Sequence, residues 1–265
     1  FIRVTAKFLV TRRFPEWPDY PMNSLAIKRS RGIIVHNEYM RKAVSDVASS
    51  NGLRMPVWRV PMGVPLGSWM HSIDPAQAKK ELGLDGYDFV ISSFGVVAER
   101  KRISVALRAF CRLLQVVPNA VYVLVGRISS QYLDRIRALR LEDHVKAIGR
   151  VDMRRFYEHM AASDLCVSLR YPTIGETSAT LLRMMSMGKT VAITNYAQFR
   201  EYPGDCCIKI DLGEKEEDSL FEQNDGPIQA GGARNRVRHK CLRLGYYAAS
   251  GAPQPASISS YVSII

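Results

Sequence analysis

From Asp88 onward the chain repeats one pattern: a short apolar run, a turn, and then a stretch with helical spacing. Phe89–Phe94, Val121–Val125, Val145–Ile148, Leu165–Leu169 and Thr190–Thr194 are nearly continuous apolar runs of strand length. Between them, Lys101–Val117, Gln131–Arg140, Met153–Ala162 and the run from Thr177 to Met187 read as helices. The first of these carries apolar Ile103, Val105, Ala106, Leu107, Phe110, Leu113 and Leu114. Gly188 closes the last run as a glycine closes a helix. Strands that are apolar throughout belong to a parallel sheet covered on both faces. The pattern therefore predicts an α/β fold, a Rossmann-like doubly wound parallel sheet.

Upstream of this region, Gly32–His36 and Val57–Met62 read as strands and Glu38–Ser50 as a helix closed by Asn51-Gly52. Gly63–Asp74 reads as a loop and Pro75–Leu82 as a short helix. Residues 1–24 mix basic and aromatic residues with Pro15, Pro18 and Pro21, the pattern of a linker or remnant. After about Glu214 the regularity fails. An acidic cluster at Glu214–Asp218 precedes the glycine-rich Gly226–Gly232, the basic Arg234–Arg243 and an Ala/Pro/Ser-rich end. Residues 214–265 therefore read as an irregular tail, disordered or artefactual.

Composition narrows the function classes. With 265 residues, 47% hydrophobic and 23% charged, the chain can bury a full core. No apolar run approaches the roughly 18 residues of a spanning helix. The first residue is Phe1 rather than Met, so the chain reads as part of something longer. Five cysteines without CxxC pairing point to reduced thiols and a cytoplasmic setting, and adjacent Cys206-Cys207 reads as a small buried strand pair rather than a redox site. The five histidines show no ligand spacing, so no metal is expected. A net charge of +12 favours polyanionic partners such as nucleotide phosphates or an anionic membrane face. Aromatics do not interleave with the basic clusters, so nucleic acid is not expected as a partner.

The candidate chemistry sits in the turns that follow the strands. Gly95–Arg102 brings Arg100, Lys101 and Arg102 to a predicted helix start, where cations oppose the helix dipole and a bound anion would relieve them. Gly126-Arg127 and Gly149-Arg150-Val151 follow the next two strands, and glycine there lets a ligand approach the backbone. The loop after Leu169 holds Gly175, Glu176, Thr177, Ser178 and Ala179 before a helix, a setting for an anion and for a polyol. Four such loops at the carboxyl ends of neighbouring strands make one candidate cleft. Gly188-Lys189-Thr190 imitates a phosphate-cradling GxxxxGK[ST] loop but is rejected. That motif needs glycine where Arg183 stands, and it leads from strand to helix, the reverse of the order here.

Together these stretches resemble the donor-binding, C-terminal domain of retaining, nucleotide-sugar-dependent glycosyltransferases of the GT-B fold, glycosyltransferase family 4. Ser30–Asn37 is similar to the last strand of the family's N-terminal domain, and Val57–Val64 to its "IPNGVD" segment. Phe94–Arg102 is similar to its "GR…EK" phosphate loop, and Gly149–Ala162 with Gly175–Lys189 to its "G…L…Y..AD" and "GE…G.P" segments. The resemblance implies residues 1–62 as a remnant of the N-terminal domain and linker, and 63–213 as the nucleotide-sugar-binding domain.

It further implies Lys101 on the donor diphosphate and Glu176 on the donor sugar, the two residues of catalytic weight. Backbone N–H groups of Thr177–Ala179 would hold the distal phosphate, and the loops at Gly126 and Gly149–Val151 would face the nucleoside. Two positions depart from the family pattern. Val96 stands where the family has its phosphate-binding arginine, for which Arg100 or Arg102 is the local substitute, and Arg183 stands where it has a second, ribose-holding glutamate. The implied partners are a nucleotide-diphosphate sugar and a carbohydrate or lipid-linked acceptor, with peripheral contact at the inner membrane face as a further expectation. The donor is a substrate and no cofactor is implied. The resemblance implies that this chain alone does not turn over. The competing expectation, from Val96 and Arg183, is a degenerate, non-catalytic nucleotide-binding or scaffolding module.

Overall fold

The computed structural model describes residues 21–64 and 68–220; the expectations for the proline-rich start, for Cys241 and for the sequence beyond 220 lie outside the described residues. By compactness the chain divides into Phe1–Met62 with Pro172–Thr177, and Gly63–Tyr171 with Ser178–Ile265.

In the first unit, helix α1 (Pro21–Arg29) precedes strand β1 (Ile33–Val35), helix α2 (Glu38–Ser50) and strand β2 (Val57–Arg59). The two strands pair in parallel, Ile33 opposite Val57 and Val35 opposite Arg59. Helix α2 forms where the sequence places Asn37 before a polar and apolar alternation: the Asn37 side chain accepts from the Met40 amide. Its buried Val44 and Ala48 pack with Ile27 and Val35 in a small core.

The second unit holds helices α3 (Ser68–His71) and α4 (Pro75–Glu81), strand β3 (Phe89–Phe94) and helix α5 (Ile103–Leu113). Strand β4 (Ala120–Val125), helix α6 (Ser130–Ala138), strand β5 (Val145–Gly149) and helix α7 (Met153–Ala162) follow. Strand β6 (Leu165–Ser168), helix α8 (Ala179–Ser186), strand β7 (Val191–Thr194) and strand β8 (Ile208–Ile210) complete it. The strands form one parallel sheet in the order β5-β4-β3-β6-β7-β8. Counted from β3 as the first strand, this is the doubly wound order 3-2-1-4-5-6, whose direction reverses between β3 and β6.

The expected covering of both faces is visible along β4. Val121, Val123 and Val125 enter the core that contains Ala78, Met160 and Leu181 from α4, α7 and α8. Ala120, Tyr122 and Leu124 enter the core that contains Phe110 and Ile136 from α5 and α6. The two-residue period of the strand sends alternate side chains to opposite faces, and both faces are apolar.

The structure differs from the sequence pattern in four places. A four-residue helical turn, α3, lies within the stretch read as loop. The long helix expected over Lys101–Val117 is broken near its start. Glu99–Lys101 is a separate 3-10 turn, Arg102 adopts a left-handed φ of 54°, and α5 begins only at Ile103. The strand expected at Cys206-Cys207 lies just downstream, as β8, because three residues carry too little pattern to fix its bounds. Cys206 and Cys207 precede it, both buried, their thiols donating to the Pro203 carbonyl. Residues 216–220 are helical, and Leu220 is buried in the same core as α5.

Phe110 is 1% exposed and meets the Tyr122 ring edge-on at 5.5 Å between centroids. Truncation to alanine should lower chain stability by about 3–5 kcal/mol, read as a shifted urea midpoint with unchanged slope.

Candidate functional site

The carboxyl edge of the sheet carries three glycines in one row, at the ends of β3, β4 and β5. Gly95, Gly126 and Gly149 have φ values of 91°, 144° and 79°. Backbone bonds join them: Gly95 N–H donates to the Val125 carbonyl at 2.7 Å and Gly126 N–H to the Gly149 carbonyl at 2.7 Å. Val97 N–H donates to the Arg127 carbonyl at 2.9 Å. A Cβ on Gly126 would lie 2.0 Å from the Gly95 carbonyl oxygen, so no side chain fits there. Three of the expected loops thus meet through backbone alone.

Over this row the Lys101 side chain folds back across Gly95. Its Nζ donates to the Phe94 carbonyl at 2.5 Å, at the carboxyl end of β3. Burial and then the neighbouring cations Arg170 and Arg100 lower its pKa from 10.5 to about 8. The cations do not sit inside the helix dipole, as the unbroken helix would have required. They precede α5 in their own turn. Arg170, to which the sequence offered no role, follows β6 on the far side of the switch point, its N–H donating to Thr194 Oγ1 at 2.8 Å. Tyr171 N–H donates to the Arg100 carbonyl at 2.7 Å, tying the loops on the two sides of that point.

Arg102 is placed differently from its neighbour Lys101. Its Nε donates to both carboxylate oxygens of Glu216, at 3.0 and 3.1 Å, and its guanidinium forms an ion pair with that side chain. Arg127 and Arg150 are exposed and Val151 packs against the α7 side of the core. Val96 is exposed, 44% of its surface open, beside Gly95. Ser178 is the N-cap of α8, its side chain accepting from the Leu181 amide, so the helix starts at Ala179 rather than at Thr177. The Arg183 Nε is buried without a hydrogen-bond partner on that helix.

Glu176 belongs to the first unit, with the Pro172–Thr177 segment. Its Oε2 accepts from Thr173 Oγ1 at 3.0 Å and from the Ile174 amide at 3.1 Å, which rigidifies the turn. Asn37 fastens the segment: Nδ2 donates to the Gly175 carbonyl at 2.8 Å and to Thr177 Oγ1 at 3.1 Å, while its Oδ1 caps α2. Gly175 has φ 85°, and a Cβ there would lie 2.0 Å from Met40 Sδ. Sequence reasoning missed Asn37, whose only local signal was its place before a helix. The predicted site residues are therefore carried by two bodies, with Lys101 and the glycine row in one and Glu176 in the other. Among the described residues no cluster of three or more His, Cys, Asp or Glu side chains could hold a metal. No described helix is long and apolar enough to cross a membrane.

Residues 74–205 match the family described as glycosyl transferases group 1. No curated protein sequence matches the chain. Among solved structures, HepE of Anabaena in complex with UDP and glucose is similar at TM-score 0.69 and 18% identity, over 85% of this chain and 61% of that one. Sucrose-phosphate synthase from Thermosynechococcus elongatus is similar at TM-score 0.69 and 17% identity, over 94% and 63% of the two chains. WaaG, a glycosyltransferase involved in lipopolysaccharide biosynthesis, is similar at TM-score 0.65 and 17% identity, over 81% and 57%. The chain spans less than two thirds of each of these three. The six-stranded parallel sheet has the fold of the Rossmann-like C-terminal domain of GT-B glycosyltransferases.

Replacing Gly126 with alanine forces a side chain against the Gly95 carbonyl in a backbone region only glycine adopts. Stability should fall by at least about 2 kcal/mol, measured by chemical denaturation.

Proposed function

We propose that this chain, matched over residues 74–205 by the glycosyl transferases group 1 family, supplies the donor-binding domain of a retaining, family 4-type glycosyltransferase. The parent would transfer a sugar from a nucleotide-diphosphate sugar to a carbohydrate or lipid-linked acceptor. The observation that carries the reading is Lys101, folded over Gly95 at the switch point and held below its ordinary pKa by burial and by two arginines. A buried cation beside other cations favours an incoming anion, and a donor diphosphate is the anion that fits the fold. The HepE structures, which hold UDP with glucose and UDP-glucose, make a UDP-sugar the first donor to test.

In this reading Lys101 neutralises the diphosphate, with Arg100 and Arg170 beside it. The leaving nucleotide is stabilised by fixed cations and by the N–H groups at the start of α8, with no metal required. Gly126, Arg127 and Gly149–Val151 face the nucleoside. Glu176 accepts hydrogen bonds from sugar hydroxyls, as an ionised carboxylate can. Turnover belongs to a full-length parent, in the cytoplasm or at the inner face of its membrane, and this chain alone binds the donor without transferring it. A second reading, a non-catalytic nucleotide-binding module, is favoured by the buried unpartnered Arg183 Nε and by exposed Val96 in the phosphate loop.

Calorimetric titration of the chain with UDP-glucose, GDP-sugars and ADP-sugars tests both. Lys101→Ala should weaken the binding of one nucleotide class about tenfold or more, the worth of a charge-assisted contact. Glu176→Ala should weaken the sugar nucleotide but leave the bare diphosphate unchanged. Loss of sugar-nucleotide discrimination in the wild-type chain would favour the module. No binding of any nucleotide would overturn both.

The pH dependence has a definite sign. Anion binding stabilises protonated Lys101, which in the free chain loses its proton near pH 8 rather than 10.5. Affinity for UDP-glucose should hold below about pH 7.5 and fall towards tenfold per unit above about 8. Lys101→Ala should flatten that profile.

A further inference from the structure

We propose that Glu216 is a positioning residue for the anion-binding turn. It fixes Arg102 and consumes its charge, so that Lys101, and not Arg102, meets the phosphates. The inference rests on the donor-binding reading above for its ligand, and on the following geometry for its mechanism.

The Glu216 side chain is 2% exposed, and a buried carboxylate is tolerated only with a partner. Arg102 gives it a bidentate one, Nε donating to Oε1 and Nη2 to Oε2, the strongest geometry available to this pair. Arg102 also holds a left-handed φ of 54°, which a non-glycine residue keeps only when its surroundings impose it. Within the turn the Arg102 N–H donates to the Glu99 carbonyl, and from outside it Glu216 holds the side chain. Its own position is fixed by Leu220, one helical turn on and buried in the core with α5. Arg108 and Arg112, further along α5, pair with Glu217 and Asp218 in the same acidic run.

The pair reaches both sides of the switch point. The Arg102 guanidinium lies 5.9 Å from the centroid of the Tyr171 ring, and that ring packs edge-on against Tyr196. Tyr171 N–H in turn donates to the Arg100 carbonyl. Glu216 therefore braces the turn after β3 and, through Arg102, the loop after β6. Among Arg100, Lys101, Arg102 and Arg170, the cation it neutralises is Arg102.

Glu216→Gln keeps the shape and removes the charge, while Glu217→Gln and Asp218→Asn serve as controls in the same segment. We would measure UDP-glucose affinity and the amide hydrogen exchange of residues 95–102 and 170–171. Glu216→Gln should weaken binding at least tenfold and speed exchange in both segments, and the controls should do neither. Because Glu216 acts through Arg102, the Arg102→Met/Glu216→Gln double variant should bind no more weakly than Glu216→Gln. Wild-type affinity and exchange in Glu216→Gln, or equal losses in the controls, would overturn the proposal while leaving the donor reading in place. If the wild-type chain binds no nucleotide, the donor reading falls, and the exchange comparison alone decides the positioning role. Should Glu216→Gln not fold, Glu216→Asp, with the charge on a shorter arm, carries the same comparison.

Discussion

The candidate site depends first on a steric constraint: adjacent strand ends approach so closely that backbone touches backbone. Gly126 leaves 2.0 Å between its missing Cβ and the Gly95 carbonyl, and its amide reaches the Gly149 carbonyl. Three loops are stitched into one surface in this way, without side chains between them. The bare surface has two consequences. A ligand can lie against main-chain groups there, and the Lys101 side chain can fold across Gly95 to the end of β3.

Electrostatics then follow from packing. Burial and neighbouring cations both disfavour the charged form of Lys101. Arg102, one residue on, does not share this condition because a buried carboxylate accepts its charge. Two successive cations thus receive different roles. The difference is made by a left-handed backbone at Arg102, which turns its side chain towards Glu216.

The carboxylate expected on the donor sugar is held by a different device. Its segment is fastened to the amino end of α2 by one asparagine, which also caps that helix. Gly175 is seated on Met40, so close contact again dictates glycine. Glu176 and Lys101 therefore belong to two separately compact bodies. The chain spans 57–63% of the glycosyltransferase structures it is similar to.

Much of this was legible before any coordinates. Apolar runs such as Phe89–Phe94 and helical spacing such as that of Met153–Ala162 fixed the parallel sheet, because period and burial are local properties of a chain. The glycines and Lys101 could be placed at strand ends for the same reason. The break at Arg102 could not be read, since nothing in Lys101–Val117 interrupts a helical pattern. The carboxylate that pairs with Arg102 lies more than a hundred residues away, in an acidic run that looked irregular. Asn37 was silent likewise, marking only a helix start, while Arg170 could be put near the cleft but given no role. The sequence by itself determined the elements, their layering and the edge at which chemistry gathers. Only the tertiary structure decided that Lys101 is desolvated among cations while Arg102 is paired, because pairing and desolvation depend on groups that folding brings together from distant positions.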